Sequence, residues 1–188
     1  MRSRVFRFSL GLVVALLALS AIGLADTTPG IESTPIPAAK KPDFSSLKFS
    51  LGTWSCSSRS ARRPAPYTST GTSSIDPSGY WIVTDTATAK TSWAPATNSV
   101  DKITYDSDQH RWVDVYTDDV GGYDVSYSPG WSGSTMVWTD ALFTPGPDII
   151  ATSPTTMTKV SDTKMTSHST FKEKSGRTIA VDSVCTKS

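Results

Sequence analysis

The sequence predicts an all-β domain, an antiparallel up-and-down barrel, with a β-sandwich as the alternative. Three observations lead there. Short runs rich in Thr, Ser, Tyr, Trp and Val suit pleated, half-buried strands. Turn chemistry separates these runs at regular intervals, with no helix-length apolar period between them. The two cysteines, Cys56 and Cys185, fall in the first and last of the runs.

At 188 residues the chain has room for one domain of ordinary size. Its formal net charge is +1, from 18 Lys and Arg against 17 Asp and Glu, which leaves no electrostatic footprint for nucleic acid. Arg2, Arg4 and Arg7 open the chain, an apolar run follows over 8–24, and Gly23-Leu24-Ala25 puts small residues where a cut ahead of Asp26 needs them. That order is the order of a secretory signal peptide, so residues 1–25 are expected to be removed on export to a periplasm or the cell exterior. The competing reading is an uncleaved anchor, because the run is nearly long enough to span a bilayer. Only then is a membrane a partner. No cysteine follows the run to carry a lipid, and no adjacent Arg pair marks the twin-arginine route.

Residues 26–42 carry Pro29, Pro35, Pro37 and Pro42 among Thr, Ala and Lys, which makes an extended, flexible spacer. The folded domain is expected over 43–188. Asp43 caps one or two helical turns that present Phe44, Leu47 and Leu51. Strands are then expected at 53–59, 67–75, 80–90, 100–105, 111–117 and 123–127. They continue at 134–143, 148–152, 155–160, 164–172 and 177–186. Between them, Asp76-Pro77-Ser78-Gly79 joins a φ-fixing Pro to a Gly free to take positive φ, and Gly121-Gly122, Pro129-Gly130, Pro145-Gly146-Pro147 and Ser175-Gly176 do the same work. Without a crossover helix the strands must be mostly antiparallel.

An exported chain meets oxidising conditions, so Cys56 and Cys185 are expected to pair; two free buried thiols are the alternative. Bridging needs α-carbons within about 7 Å. First and last strands must then be neighbours, which is how an up-and-down sheet closes, and the barrel is favoured over the sandwich.

Leu51-Gly52-Thr53-Trp54, after a short helical turn, resembles the Gly-x-Trp start of lipocalins and other calycins. Further along, Gly79-Tyr80-Trp81-Ile82-Val83, Ile103-Thr104-Tyr105-Asp106, Arg111-Trp112-Val113, Gly121-Gly122-Tyr123 and Gly130-Trp131-Ser132-Gly133 resemble a family of bacterial exported calycin-like proteins of unknown function. The resemblance covers most of 47–188. It implies a barrel, with Trp54 plugging its closed end. The chain departs from lipocalins at Ser55, where they carry an aromatic, and at Thr139-Asp140-Ala141, where they carry Thr-Asp-Tyr. No Arg near Val181 stands ready to stack on the plug.

Six tryptophans are the most informative residues. A barrel of this size can keep a cavity, and aromatics around it suit an apolar small molecule. Trp81, Trp93, Trp112, Trp131, Trp138 and Tyr123 are the candidate contacts, with Trp93 and Trp131 at a rim; the bland alternative is core filling for each. His110 and His168 keep haem as a minor reading, and no other cofactor is expected. Two His without Cys or clustered carboxylates make no metal site. Asp106, Asp108, Asp118 and Asp119 read as turn residues rather than calcium ligands. Ser132 lacks both the final Gly and the following helix of a nucleophile elbow. Arg59, Arg62 and Arg63 form a small basic patch of a solvated loop. No catalytic set emerges. The leading expectation is an exported, non-enzymatic barrel for a small apolar ligand. An envelope structural or interaction protein with a filled barrel comes second, and a hydrolase third.

Overall fold

Asp, Gly and Pro cut the chain into strands, and side-chain oxygens hold the cuts. Asp76 Oδ1 accepts from the backbone N–H of Gly79 (3.0 Å), Tyr80 (3.2 Å) and Trp81 (3.1 Å), so one carboxylate terminates a whole turn. Asp106 Oδ1 does the same for Asp108 and Gln109, and Asp118 Oδ1 for Val120 and Gly122. Asp119 bonds Asn98 Nδ2 at 2.9 Å. These carboxylates serve their turns, as the sequence leads one to expect.

The computed structural model describes residues 39–188 apart from 62, 64, 93 and 145–148. The expected signal peptide, most of the spacer, Arg62, Trp93 and the Pro145–Pro147 turn lie outside the described residues. Within them the strands are β1 (Gly52–Ser60), β2 (Tyr67–Ile75), β3 (Ile82–Thr88), β4 (Thr97–Asp106), β5 (Arg111–Asp118) and β6 (Tyr123–Ser128). After these come β7 (Trp131–Ser132), β8 (Thr135–Phe143), β9 (Ile149–Thr152), β10 (Thr155–Ser161), β11 (Lys164–Glu173) and β12 (Thr178–Lys187). Every expected strand forms. β7 is the addition: two residues folded back on β8 where only a turn is expected.

The strands run β1-β2-β3-β4-β5-β6-β8-β10-β11-β12 and return to β1, a closed antiparallel barrel of ten strands. The sandwich alternative falls, because no edge separates two sheets. Closure has two seams of unequal length. β1 and β12 pair from Trp54↔Lys187 through Ser60↔Val181. Within that seam Cys56 and Cys185 lie directly opposite, disulfide-bonded, with α-carbons 4.0 Å apart. β8 and β10 pair only from Trp138↔Thr155 through Thr135↔Thr158. β9 takes over the β11 edge beyond that, from Phe171↔Thr152 to Glu173↔Ile149.

One end is corked by the segment that leads into β1. A 3₁₀ helix, Ser45–Ser50, follows Asp43, whose Oδ1 accepts from Ser45 N–H at 2.9 Å. It drives Phe44 and Leu47 into a buried cluster with Ile82, Trp112, Met136 and Trp138. Trp54 Nε1 donates to Ser50 O at 2.8 Å, and Phe49 meets Trp54 and Trp131 edge-on at 6.4 and 5.5 Å. Removing the Leu47 side chain from this cluster costs about 2–5 kcal/mol by the usual range for buried Leu→Ala.

The inner face is polar where alternation alone would make it apolar. On β6 it is Asp124, Ser126 and Ser128 that point inward, with Ser126 and Ser128 only 3% and 1% exposed. Tyr123, 44% exposed, lies on the opposite, outward face with Val125 and Tyr127. Inward hydroxyls satisfy one another: Ser58 bonds Ser183 and Ser73 bonds Thr84, each at 2.8 Å.

The Cys56–Cys185 bond closes a loop with a sequence separation of 129. Replacing both cysteines with Ala is expected to lower unfolding free energy by about 4–5 kcal/mol on the chain-entropy argument. Urea denaturation of the two proteins tests this, and coincident midpoints would show that pairing of β1 with β12 suffices without the covalent bond.

Candidate functional site

Two cavities follow one another up the barrel. The lower, about 300 Å³, rests on Leu47, Trp54 and Trp138 at the corked end and has Met157 and Met165 on one wall. Its other wall is made of small residues, Ser69, Gly71, Ser73, Thr84 and Thr86. A Cβ on Gly71 would stand 3.0 Å from Thr86 Oγ1, so the glycine keeps that wall bare. The upper cavity, about 330 Å³, opens beside the β5–β6 turn and Thr144, with Tyr123, Phe143 and Phe171 around it. It lies where the wall between β8 and β11 changes from β10 to β9. Asp101 and Asp114 line both cavities and stand at their junction.

The register of four neighbouring strands assembles a collar of carboxylates. Asp101 on β4 lies opposite Tyr116 on β5, Tyr116 opposite Asp124 on β6, and Asp124 opposite Phe143 on β8. One rung toward the cork, Ile103 is opposite Asp114, Asp114 opposite Ser126, and Ser126 opposite Asp140. The four aspartates therefore alternate between two adjacent rungs, each a diagonal neighbour of the next. Among the described residues no Lys, Arg or His lines either cavity. Asp114 Oδ1 and Asp124 Oδ1 are buried without a hydrogen-bond partner.

Burial without a counter-ion disfavours the charged form. Asp101 is pushed up to about 6 by desolvation and then by the charge of Asp124. Asp114 is raised well above the ordinary carboxylate range by desolvation, then by Asp101 and Asp124. Asp124 is pushed up to about 6 by desolvation and then by Asp140. The Tyr116 phenol is raised too, by burial first and then by its 3.0 Å hydrogen bond to Asp118 Oδ2. Such a collar accepts hydrogen bonds or positive charge. It is not a compact metal centre: no three His, Cys, Asp or Glu among the described residues stand close enough to hold an ion.

The residues singled out in the sequence divide between the chamber and other places. Trp54 and Trp138 line the lower cavity, and so does Cys56 of the disulfide. Trp112 is buried beneath them against Phe44 and Tyr105, inside the cork, and contacts neither cavity. Trp131, expected at a rim, is packed at the corked end, with its Nε1 buried and unpartnered. Trp81 sits in the Asp76 turn and lines neither cavity, while Tyr123 borders the mouth from the outer face. His168 Nδ1 lies 2.7 Å from Asp182 Oδ1 on the outer surface, and His110 is exposed in the β4–β5 turn at φ 52. Neither offers an imidazole to a haem inside the barrel. Ser132 is exposed on the β7–β8 hairpin, and its carbonyl accepts from Thr135 Oγ1. Asp101, Asp114, Asp124 and Asp140 were not singled out from the sequence. The signal for them is one of phase: Asp101 alternates in step with Ile103 and Tyr105, and Asp114 with Trp112 and Tyr116.

These raised carboxyls make stability depend on pH with a definite sign. Their folded pKa values exceed the ordinary unfolded value, so the folded state retains protons that the unfolded chain has released. The advantage is complete below about pH 4, where Asp is protonated in both states, and is lost as pH rises through about 6 for Asp101 and Asp124. The ligand-free protein is expected to melt at a lower temperature at pH 8 than at pH 5. Asp114→Asn is expected to raise the melting temperature at pH 8 by about 3 °C or more and to flatten the slope. Differential scanning calorimetry across that interval decides it; an equal slope in the two proteins would mean that the collar is not the source.

The chain is similar to several solved structures. Rv2717c from M. tuberculosis superposes with a TM-score of 0.56 at 8% identity, over 77% of this chain and 96% of that one. A protein of unknown function of the DUF3598 family from Nostoc punctiforme gives a TM-score of 0.38 at 12% identity, over 76% and 48%. The S-type phycobiliprotein lyase CPES from Guillardia theta gives 0.37 at 11% identity, over 74% and 88%. No protein-family model matches the sequence. No curated protein matches it either. The likeness to Rv2717c is one of fold alone, a barrel without a sequence family beneath it.

Proposed function

We propose that this protein is an exported, non-enzymatic binding barrel that holds a small molecule with an apolar body between the Trp54–Trp138 floor and the acidic collar. The observation that carries this reading is the unfilled chamber of about 300 Å³, which continues into a mouth of about 330 Å³. That volume is in the range of small-molecule sites, and an indole floor with thioether walls gives an apolar ligand dispersion contacts and takes its surface out of water. The polar groups are few and gathered at one level, where they can orient a ligand rather than merely solvate it. The filled-barrel alternative, working through its outer surface, requires an interior that side chains occupy. Export is supported by the signal-type start over 1–25 and by a disulfide of the kind that persists in oxidising compartments.

Native mass spectrometry of the protein purified from an exporting host, compared with its denatured mass, tests both parts. A chain beginning at Asp26 is expected, carrying an added mass that denaturation releases. Ser69→Phe, which places a ring in the lower cavity, is expected to abolish the added mass while circular dichroism stays that of a folded barrel. A bare wild-type chain whose Trp fluorescence is also unmoved by a panel of apolar small molecules would favour the outer-surface alternative.

A further inference from the structure

We propose that the ligand class is an organic cation: a small amphiphile whose protonated amine lies against Asp101 and Asp114 while its apolar body fills the lower cavity. The inference rests on the binding reading above and deepens it.

Four observations converge. Asp101 and Asp114 line both cavities, so whatever occupies the lower one has its polar end at their level. Asp114 Oδ1 is buried with no hydrogen-bond partner in the protein, and Asp124 Oδ1 one rung higher is in the same state. A buried acceptor without a partner costs free energy that a donor from outside can recover. The remaining lining is neutral: hydroxyls of Ser69, Ser73, Thr84 and Thr86 on one side, Met157 and Met165 on the other. No Lys, Arg or His among the described lining residues offers the collar a counter-charge, which leaves that place to a cation on the ligand.

Other ligand classes fit less well. A carboxylate or phosphate would meet like charge at the junction in a medium of low dielectric. A neutral apolar molecule would fill the chamber and leave the collar unpartnered. A bare metal ion needs several ligands gathered around it, and among the described residues no three His, Cys, Asp or Glu stand close enough to hold one. An ammonium group needs fewer charged partners, its three donors being shared between carboxylate and neutral hydroxyl oxygens, and its alkyl or aryl body needs the apolar room behind it.

Isothermal titration calorimetry at pH 7.5 with octylamine, octanol and octanoate, which share a chain and differ at the head, tests the assignment. Octylamine is expected to bind at least tenfold tighter than octanol, and octanoate weakest of the three. Asp101→Asn with Asp114→Asn is expected to weaken octylamine at least tenfold and octanol by much less, with folding checked by circular dichroism. The wild-type ranking decides the matter even if that double variant fails to fold. Octanol or octanoate binding as tightly as octylamine would overturn the cation assignment and leave the binding barrel standing, as would an amine preference that survives in the folded Asn variant. Failure of all three probes to bind would count against the binding barrel itself, and the cation assignment would fall with it.

Discussion

Closure of ten strands into a ring is the constraint on which the rest of this protein depends. Once β1 pairs with β12, every strand but the short β7 and β9 is fixed between two neighbours, and each side chain must point into the ring or out of it. Ring size then governs the interior. The inward residues are disproportionately small, with Ser58, Ser73, Gly71, Thr84 and Ser126 on the inner face, and residues of that size do not reach the axis of a barrel this wide. At one end the chain fills the ring with bulk, by inserting Phe44 and Leu47 beneath Trp112 and Trp138. A cork and an unfilled barrel above it follow from the same arithmetic of side-chain volume.

Placing carboxylates in that unfilled space reverses their usual economy. Exposed aspartates here hold turns together: Asp43, Asp76 and Asp119 accept backbone or side-chain hydrogen bonds that hold them below the ordinary carboxylate range. The inward aspartates have the opposite environment. They are desolvated, near one another and without a counter-ion, so the barrel holds them against their preference for water. Groups held in that way in a concave space are the usual mark of a site rather than of a scaffold. The scaffold in this protein is made of apolar cork, hydroxyl pairs and one covalent bond.

Much of the architecture was legible because it is written in local chemistry. Asp76-Pro77-Ser78-Gly79 forms a turn whatever surrounds it, and β2 and β11 start where the sequence places them. The pairing of Cys56 with Cys185 was legible for a different reason: two cysteines at opposite ends of a strand series allow one covalent topology, and that topology requires neighbouring terminal strands. The site was legible only in part. Trp138, a candidate contact, lines the chamber, and so does Trp54, expected as the plug, whereas Trp112 and Trp131, candidates on the same grounds as Trp138, belong to the cork. A tryptophan looks alike in both settings, since each rewards a large apolar surface. Aspartate in a strand that carries valines on alternate positions reads as solvent-facing, and on β5 that reading is inverted: Val113 and Val115 face outward while Asp114 faces the chamber.

The sequence by itself determined how the chain is cut into strands, that a short helical segment would precede the first of them, and that the termini of the sheet would be joined. All three depend on residues close in the chain or on a covalent bond with one possible partner. Which face of each strand turns inward, and which side chains from β4, β5, β6 and β8 meet at one height, was decided by tertiary structure alone. Strand pairing sets register, a shift of one residue exchanges the two faces, and the collar exists only because three successive registers bring Asp101, Asp114, Asp124 and Asp140 onto adjacent rungs.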